Sequence, residues 1–305
     1  MRHTYECPLR WADMDMLGHV NNVTYVDYLQ EARIDMFAAH PQFRGGEDLA
    51  EGVVVVRHEV EFLAPLTFRR RPVLVDAWIT QVRASSFTMA YEVYDEQESG
   101  TGPGGRTVFL RASSVLAPFV FESEWPRRIT TEEKAVLTRY LEPAEPRARL
   151  ERVGEPRHHY PLHVRWSDVD AYRHVNNVKY FEYFQESRIQ YLMDLHTQGE
   201  EWSSHVVARI DVDYRRPMLF RLPPYEVRSW ISSVGTRSFV ISAEVRDPLA
   251  AGDGGTENGG PGSGGELLAS AQVVMVTFDS TTQRAAAMAD GQRRKLEAEL
   301  RGQDG

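Results

Sequence analysis

The sequence predicts an α+β protein built as a tandem pair, each half a curved antiparallel sheet wrapped around one long central helix. Three observations carry this prediction. Residues 11–34 (WADMDMLGHVNNVTYVDYLQEARI) return at 166–189 (WSDVDAYRHVNNVKYFEYFQESRI), with 14 of 24 positions identical at a constant offset of 155. Chance does not produce so much ungapped identity. After each copy the apolar spacing changes from helical to alternating, the mark of a helix followed by strands. Finally, 305 residues with 42% apolar content exceed most single cores and suit two domains of about 150 residues.

Composition narrows the function. A net charge of −9 argues against a binder of nucleic-acid phosphates, which needs a basic face. The single cysteine, Cys7, rules out an intramolecular disulfide and fits a reducing compartment. Catalysis by Cys7 is not expected, because it lies in the strand-like HTYECPLRW and the second copy lacks it. The opening MRHTYECPLRW has no signal-peptide core, and the longest apolar runs, such as Val53–Val56, are strand-sized. A cytoplasmic protein with no membrane partner is the expectation.

Taken in order, residues 3–11 read as a first strand ending at Trp11. The polar run DMDMLGHVNN follows, with Gly18 giving it freedom to turn. A helix begins near Val23, with Val26, Leu29, Arg33 and Met36 on one stripe and Asp27, Gln30, Glu31 and Asp35 largely opposite. Pro41 limits it, and 42–51, with Gly45–Gly46, reads as a loop. Val53–Leu63, Val73–Arg83, Phe87–Asp95 and Thr107–Phe121 are strand-like, with the turn ESGTGPGG between the last two. Residues 130–141 form a short helix with a capping-box start. The proline-bearing, charged stretch 142–157 reads as a linker between domains 1–141 and 158–305. The second half repeats the plan and ends in a helix over Ala285–Leu300. Its glycine-rich insert AAGDGGTENGGPGSGG is expected to be disordered. Trp78/Trp230 and Phe87/Phe239 are expected in the sheet core, and Glu31/Arg33 with Glu186/Arg188 as surface or interdomain ion pairs.

The order of elements, with Asp-x-x-x-His-Val-Asn-Asn-x-x-Tyr present twice, resembles the hotdog-fold thioesterases, in the branch that holds 4-hydroxybenzoyl-CoA thioesterase and the bacterial long-chain acyl-CoA thioesterases. The second copy also resembles the plastid acyl-carrier-protein thioesterases. The resemblance spans about residues 3–121 and 158–280. It implies a tandem double hotdog that hydrolyses an acyl thioester, with Asp15 and Asp170 as catalytic carboxylates and His19 and His174 in the same network. A further network asparagine of the carrier-protein enzymes is replaced here by Leu17 and Tyr172. In single-hotdog relatives two protomers pair, and here the halves would play that part, with the acyl group in an apolar slot between them. The resemblance leaves room for a homo-oligomer of such chains.

The residues support this chemistry on their own terms. A carboxylate near a helix start meets free N–H groups and the positive end of the dipole, which favour its ionised form. That makes it a modest nucleophile, or a general base towards one positioned water. A thioester suits such a catalyst, since its leaving thiol has a pKa of about 8.5. The helix start can polarise the thioester carbonyl, and no serine-elbow motif offers a stronger nucleophile. The blander reading is that Asp15 and Asp170 are turn or cap residues; their recurrence favours catalysis, while Asp13 and Asp168 more simply brace the loop. His19 and His174 serve equally well as loop pins or as catalytic groups. Asn21, Asn22, Asn176 and Asn177 are candidates both for satisfying helix-start amides and for contacting substrate. Tyr25 and Tyr180 line the early helix and are further substrate-binding candidates. Clusters such as Arg69–Arg71 and Arg215–Arg216 could hold CoA phosphates. No metal or other cofactor is expected, because Asp and His at this spacing lack further ligands. The expected partner is therefore an acyl-CoA, or acyl-carrier-protein, thioester. The rival readings are a hydratase or dehydratase on the same fold and a non-catalytic acyl-thioester-binding scaffold.

Overall fold

The computed structural model describes residues 1–40, 52–96, 105–120, 125–145, 147–196, 201–250, 265–279, 282 and 284–302. The Gly45–Gly46 loop, most of the ESGTGPGG turn and most of the glycine-rich insert lie outside these residues. The chain divides into two compact units, Met1–Ala148 and Arg149–Gly305.

The first unit runs β1 (His3–Cys7), α1 (Thr24–Ala38), β2 (Val53–Phe62), β3 (Val73–Val82), β4 (Phe87–Glu96), β5 (Arg106–Val120), β6 (Trp125–Pro126) and α2 (Thr131–Arg139). Its sheet has the order β1-β3-β4-β5-β2, with β6 on β5, and every pairing is antiparallel. The second unit repeats it with β7 (His158–Leu162), α3 (Lys179–Leu195), β8 (His205–Tyr214), β9 (Tyr225–Val234), β10 (Ser238–Asp247), β11 (Glu266–Asp279), β12 (Arg284–Ala285) and α4 (Asp290–Arg301). Its order is β7-β9-β10-β11-β8, with β12 on β11. Register shifts at Ile79/Gln81, Val93/Tyr94 and Val55/Arg57 recur at Val240/Ile241, Val245/Arg246 and Val274/Met275. Such bulges bend strands, so each sheet curves towards its helix. This is the hotdog arrangement.

Period-two burial builds the inner face. Val73, Val75, Ala77 and Ile79 are fully buried, and α1 lies against β1 and β3. The helix turns in Tyr25, Val26, Leu29, Ala32, Arg33, Met36 and Phe37, and Phe37 meets Phe87 edge-on at 6.2 Å.

Several expectations are corrected. The first strand stops at Cys7, and Trp11–Asp13 is a single turn of 3-10 helix. The C-terminal helix starts at Asp290 rather than Ala285, because Arg284–Ala285 adds a short strand to β11. Both tryptophans alternate with the buried odd-numbered positions and so face the outer side of the sheet, but Trp230 is buried there, 4% exposed, as expected, and only Trp78 departs from the expectation. Trp78 is half-buried beneath the Arg2 guanidinium, and Trp230 is covered by the stretch after Ala148, where its indole N–H donates to Val153 O at 2.8 Å. Phe87 and Phe239 are core residues, each 1% exposed. Among the described residues no ion pair joins Glu31 and Arg33. Positions two apart on a helix face different ways, so Glu31 is exposed while Arg33 and Arg188 are buried. Finally, Thr130 and Glu133 close the expected capping box of α2, Glu133 N–H donating to Thr130 Oγ1 and Thr130 N–H to Glu133 Oε2.

Candidate active site

In each unit the repeated motif forms a tight turn followed by a rung of backbone bonds. Asp15 N–H donates to His19 O at 2.7 Å, and Gly18 N–H to Asp15 O at 3.0 Å. The Asp15 carboxylate accepts the N–H of Leu17 at 2.8 Å and that of His19 at 3.2 Å. Asp170 repeats this: its N–H donates to His174 O at 2.9 Å, its carbonyl accepts Arg173 N–H at 3.0 Å, and its carboxylate accepts Tyr172 N–H at 2.9 Å. Closing such a turn needs a left-handed residue. Gly18 supplies it at φ +76°, while Arg173 adopts φ +63° in the second copy. Both aspartates are partly exposed.

The turn is tied to the loop after β2 or β8. Val20 N–H donates to Leu66 O and Val175 N–H to Met218 O, both at 2.8 Å. His19 bridges Thr67, and His174 bridges Leu219. The histidine backbone thus closes the turn, and each histidine is half-buried.

A second carboxylate braces the turn from below, as expected of Asp13 and Asp168. Each is 2% exposed. Asp13 accepts Arg10 N–H at 2.7 Å, Arg10 Nε–H at 2.9 Å and the Tyr28 hydroxyl at 2.6 Å. Asp168 accepts Arg165 N–H at 2.8 Å and the Tyr183 hydroxyl at 2.7 Å. Burial, then the hydrogen bond to the buried carboxylate, pushes both phenols well above their usual range. These tyrosines are helix-borne clamps, a role that the residue pattern alone does not assign. The recurrence of both the Asp and the Tyr was the available signal.

The asparagines divide their work. Asn21 Oδ1 accepts Val23 N–H and Asn176 Oδ1 accepts Val178 N–H, both at 3.0 Å. The amides of Thr24 and Lys179 donate to Asn21 O and Asn176 O, and those of Val26 and Phe181 to Val23 O and Val178 O. Several helix-start amides are therefore engaged locally, and Asp15 takes its hydrogen bonds from its own turn rather than from the helix. Asn22 differs: its Nδ2 is buried and has no hydrogen-bond partner among the described residues. Asn177 lends its carbonyl to the Tyr214 hydroxyl at 2.8 Å.

Tyr25 and Tyr180 are 3% exposed and pack edge-on to Phe62 at 5.7 Å and Tyr214 at 5.1 Å. Burial raises both pKa values most. The neighbouring Asp15 and Asp170 charges add to the rise, and the Leu66 and Met218 backbones oppose it. These phenols thus stay protonated in the core. Outside, Trp11 stands edge-on to Phe68 at 5.2 Å and Trp166 to Phe220 at 5.3 Å, both tryptophans strongly exposed.

Of the arginines considered for phosphate contact, Arg69 and Arg71 both pair with Asp95, and Arg216 pairs with Glu266 at 3.1 Å. Two guanidinium groups thus share the single Asp95 carboxylate, and Arg69 Nε and Nη2 are buried with no hydrogen-bond partner among the described residues. Cys7 is 3% exposed, and burial pushes its thiol up to about 12, which leaves it without a nucleophile's thiolate. No helix among the described residues is long and apolar enough to cross a membrane.

Comparison with known proteins matches this twofold geometry. A family model described as the thioesterase-like superfamily matches residues 9–122 and again 164–296. The long-chain acyl-CoA thioesterase FadM of Escherichia coli (strain K12) is 28% identical over 142 residues, which covers 45% of this chain and 94% of FadM. Among solved structures, the 12:0-ACP thioesterase from Umbellularia californica is similar at a TM-score of 0.67 and 16% identity, over 91% of this chain and 94% of that one. An acyl-ACP thioesterase from Bacteroides thetaiotaomicron VPI-5482 is similar at 0.62 and 15% identity, over 90% and 97%. At such identities these two structures speak for the fold alone.

Proposed function

Because the chain belongs to the thioesterase-like superfamily in both of its units, we propose that it hydrolyses acyl thioesters at the Asp15 and Asp170 turns, with acyl-CoA as the first substrate class. The observation that carries this reading is the duplicated turn itself. A carboxylate is fixed by amides of its own loop, belongs to a partly exposed residue, and its charge acts on a buried tyrosine. FadM, named for long-chain acyl-CoA hydrolysis, supports CoA over a carrier protein.

In the proposed reaction the carboxylate of Asp15 or Asp170 takes a proton from a water that attacks the thioester carbon, or attacks that carbon directly. The departing thiolate needs little help, with a thiol pKa of about 8.5. Charge developing on the carbonyl oxygen requires a donor. The buried, unpartnered Asn22 Nδ2 at the positive end of α1 fits that task in the first unit, and Asn177 holds the matching place in the second. Asn21 and Asn176 hold the helix start in place, Tyr25 and Tyr180 exclude water beside the reacting carbon, and His19 and His174 set the turn that aims the carboxylate. A cytoplasmic location is part of the proposal.

A thiol-trapping assay over an acyl-CoA series tests the reading. Asp15→Asn and Asp170→Asn keep shape and remove charge, so each single variant should retain a measurable share of turnover and the double variant almost none. Full turnover in the double variant would reject these carboxylates. Absence of turnover on every thioester by the unmodified chain would reject the activity.

A further inference from the structure

The two helix–sheet seams differ in their buried polar groups. In the first unit Arg33, 7% exposed, donates an Nη1–H to the Tyr91 hydroxyl at 3.3 Å. Sheet register sets Tyr91 between Ala77 on β3 and Ala112 on β5. The matching place in the second unit, between Ser229 on β9 and Ala271 on β11, holds Ala243. Arg188, the counterpart of Arg33, is 6% exposed, and its Nη1 has no hydrogen-bond partner among the described residues. The seam has gained hydroxyls as well: Ser187 and Ser229, in contact at 3.1 Å, replace Ala32 and Ala77. The second unit has thus kept the cation, lost its phenol partner and added polar walls.

A buried donor without an acceptor is unfavourable, more so when it carries charge. Burial draws the Arg188 guanidinium down to about 10 against the opposing charge of Glu186, which is itself solvent-exposed. The missing partner should therefore be an anion that arrives from outside. Tyr180, which feels the Asp170 charge, lies on the same helix. At 1.5 Å per residue, the axial distance from Tyr180 to Arg188 is about 12 Å, within the span of a medium-length acyl chain.

We propose that Arg188 binds a carboxylate at the far end of the acyl group, so that the second unit takes ω-carboxyacyl thioesters while the first, closed by Arg33 and Tyr91, takes uncharged acyl chains. A planar guanidinium and a carboxylate make paired charge-assisted hydrogen bonds, which offset the desolvation of both. The proposal rests on the thioesterase reading above and adds a substrate class to one of its sites.

The test uses the full chain. Asp15→Asn isolates the second site and Asp170→Asn the first. With decanoyl-CoA and its ω-carboxy analogue, the Asp15→Asn protein should favour the ω-carboxy substrate by tenfold or more in kcat/KM, and the Asp170→Asn protein the plain one. Adding Ala243→Tyr to Asp15→Asn rebuilds the partner that Arg33 has and should abolish the preference, mainly through KM. Arg188→Gln is the alternative if that tyrosine overfills the seam. A binding measurement independent of turnover follows free decanedioate against decanoate by calorimetry. The diacid should bind the unmodified chain more tightly, and Arg188→Gln should remove the difference. Hydrolysis without preference in Asp15→Asn, or diacid binding indifferent to Arg188, overturns the proposal and leaves the thioesterase reading standing. Diacid binding that needs Arg188, in a chain that cleaves no thioester, sinks that reading and keeps the anion site.

Discussion

The Asp15 and Asp170 turns make the same closing bonds, from Asp N–H to His O, from the left-handed residue to the Asp carbonyl, and from the second residue after the Asp to its carboxylate. Yet their tips share nothing in side chain. The first is Met16-Leu17-Gly18, with Met16 almost wholly exposed; the second is Ala171-Tyr172-Arg173. What was kept after duplication is the carboxylate, its brace and its rung. The tip is held by backbone, so its side chains could change without moving the aspartate. The same separation runs deeper in the fold, where Arg33 and Arg188 persist while the residue opposite changes from Tyr91 to Ala243.

The brace is where this comparison is easiest to break. Asp13 accepts from Arg10 N–H, Arg10 Nε–H and Tyr28, whereas Asp168 accepts from Arg165 N–H and Tyr183 among the described contacts. Removing one phenol hydroxyl leaves a buried carboxylate short of a donor, at a cost of about 2 kcal/mol for a hydrogen bond to a charged group. Tyr183→Phe should cost more than Tyr28→Phe, because Asp168 then retains fewer donors. Denaturation midpoints of the two variants measure the difference, and an equal loss would mean that the two braces are energetically the same.

Much of this was legible from the sequence because it was written twice. The recurrence of Asp, His and paired Asn located the turn, and the change of period placed α1 and β2 to β5 within a residue or two of their observed ends. What was not legible depends on neighbours far along the chain. Leu66 and Met218, which anchor the rung, carry no polar side chain to announce them. Trp78 looked like core, as Trp230 is, and only its place on the outer face beneath Arg2 leaves it half-buried. Arg33 and Arg188 looked like surface charge because an ionised side chain seldom faces a sheet. The roles of Tyr28 and Tyr183 were readable in principle, since each recurs at a fixed distance from Asp13 or Asp168, but side-chain reach is not a property of spacing alone.

A smaller effect separates the two tips. Gly18 and Arg173 hold the same left-handed backbone, which costs a residue with a side chain about 1 kcal/mol. A Cβ on Gly18 would meet nothing within 4 Å, so Gly18→Ala should destabilise by about 1 kcal/mol through the backbone alone. Arg173→Gly should stabilise, by a few tenths to about 1 kcal/mol, as relief of strain exceeds the entropy gained by the unfolded chain. Thermal melts of both variants give the signs. A loss of stability in Arg173→Gly would show that the arginine side chain holds the second turn in a way that the first does without.

The smallest effect concerns Cys7 and its counterpart Leu162. Both end the first strand of their unit, and each is 3% exposed. Cys7 pairs in register with Val73 as Leu162 does with Tyr225, so the thiol occupies a place that the other unit fills with a hydrocarbon. Burial, with the Asp13 charge adding to it, raises the thiol to about 12, so that almost none of it is thiolate at pH 8. Native protein treated with iodoacetamide at that pH should stay unmodified at Cys7, while denatured protein reacts fully, as mass spectrometry would record. Cys7→Leu should change stability by less than about 1.5 kcal/mol, the range for apolar swaps in a core that can repack, and leave thioester turnover intact. Rapid alkylation of the native chain would contradict the burial. Loss of turnover in a folded Cys7→Leu protein would give the first unit a reactive group that the second lacks, and the two sites would no longer share one chemistry.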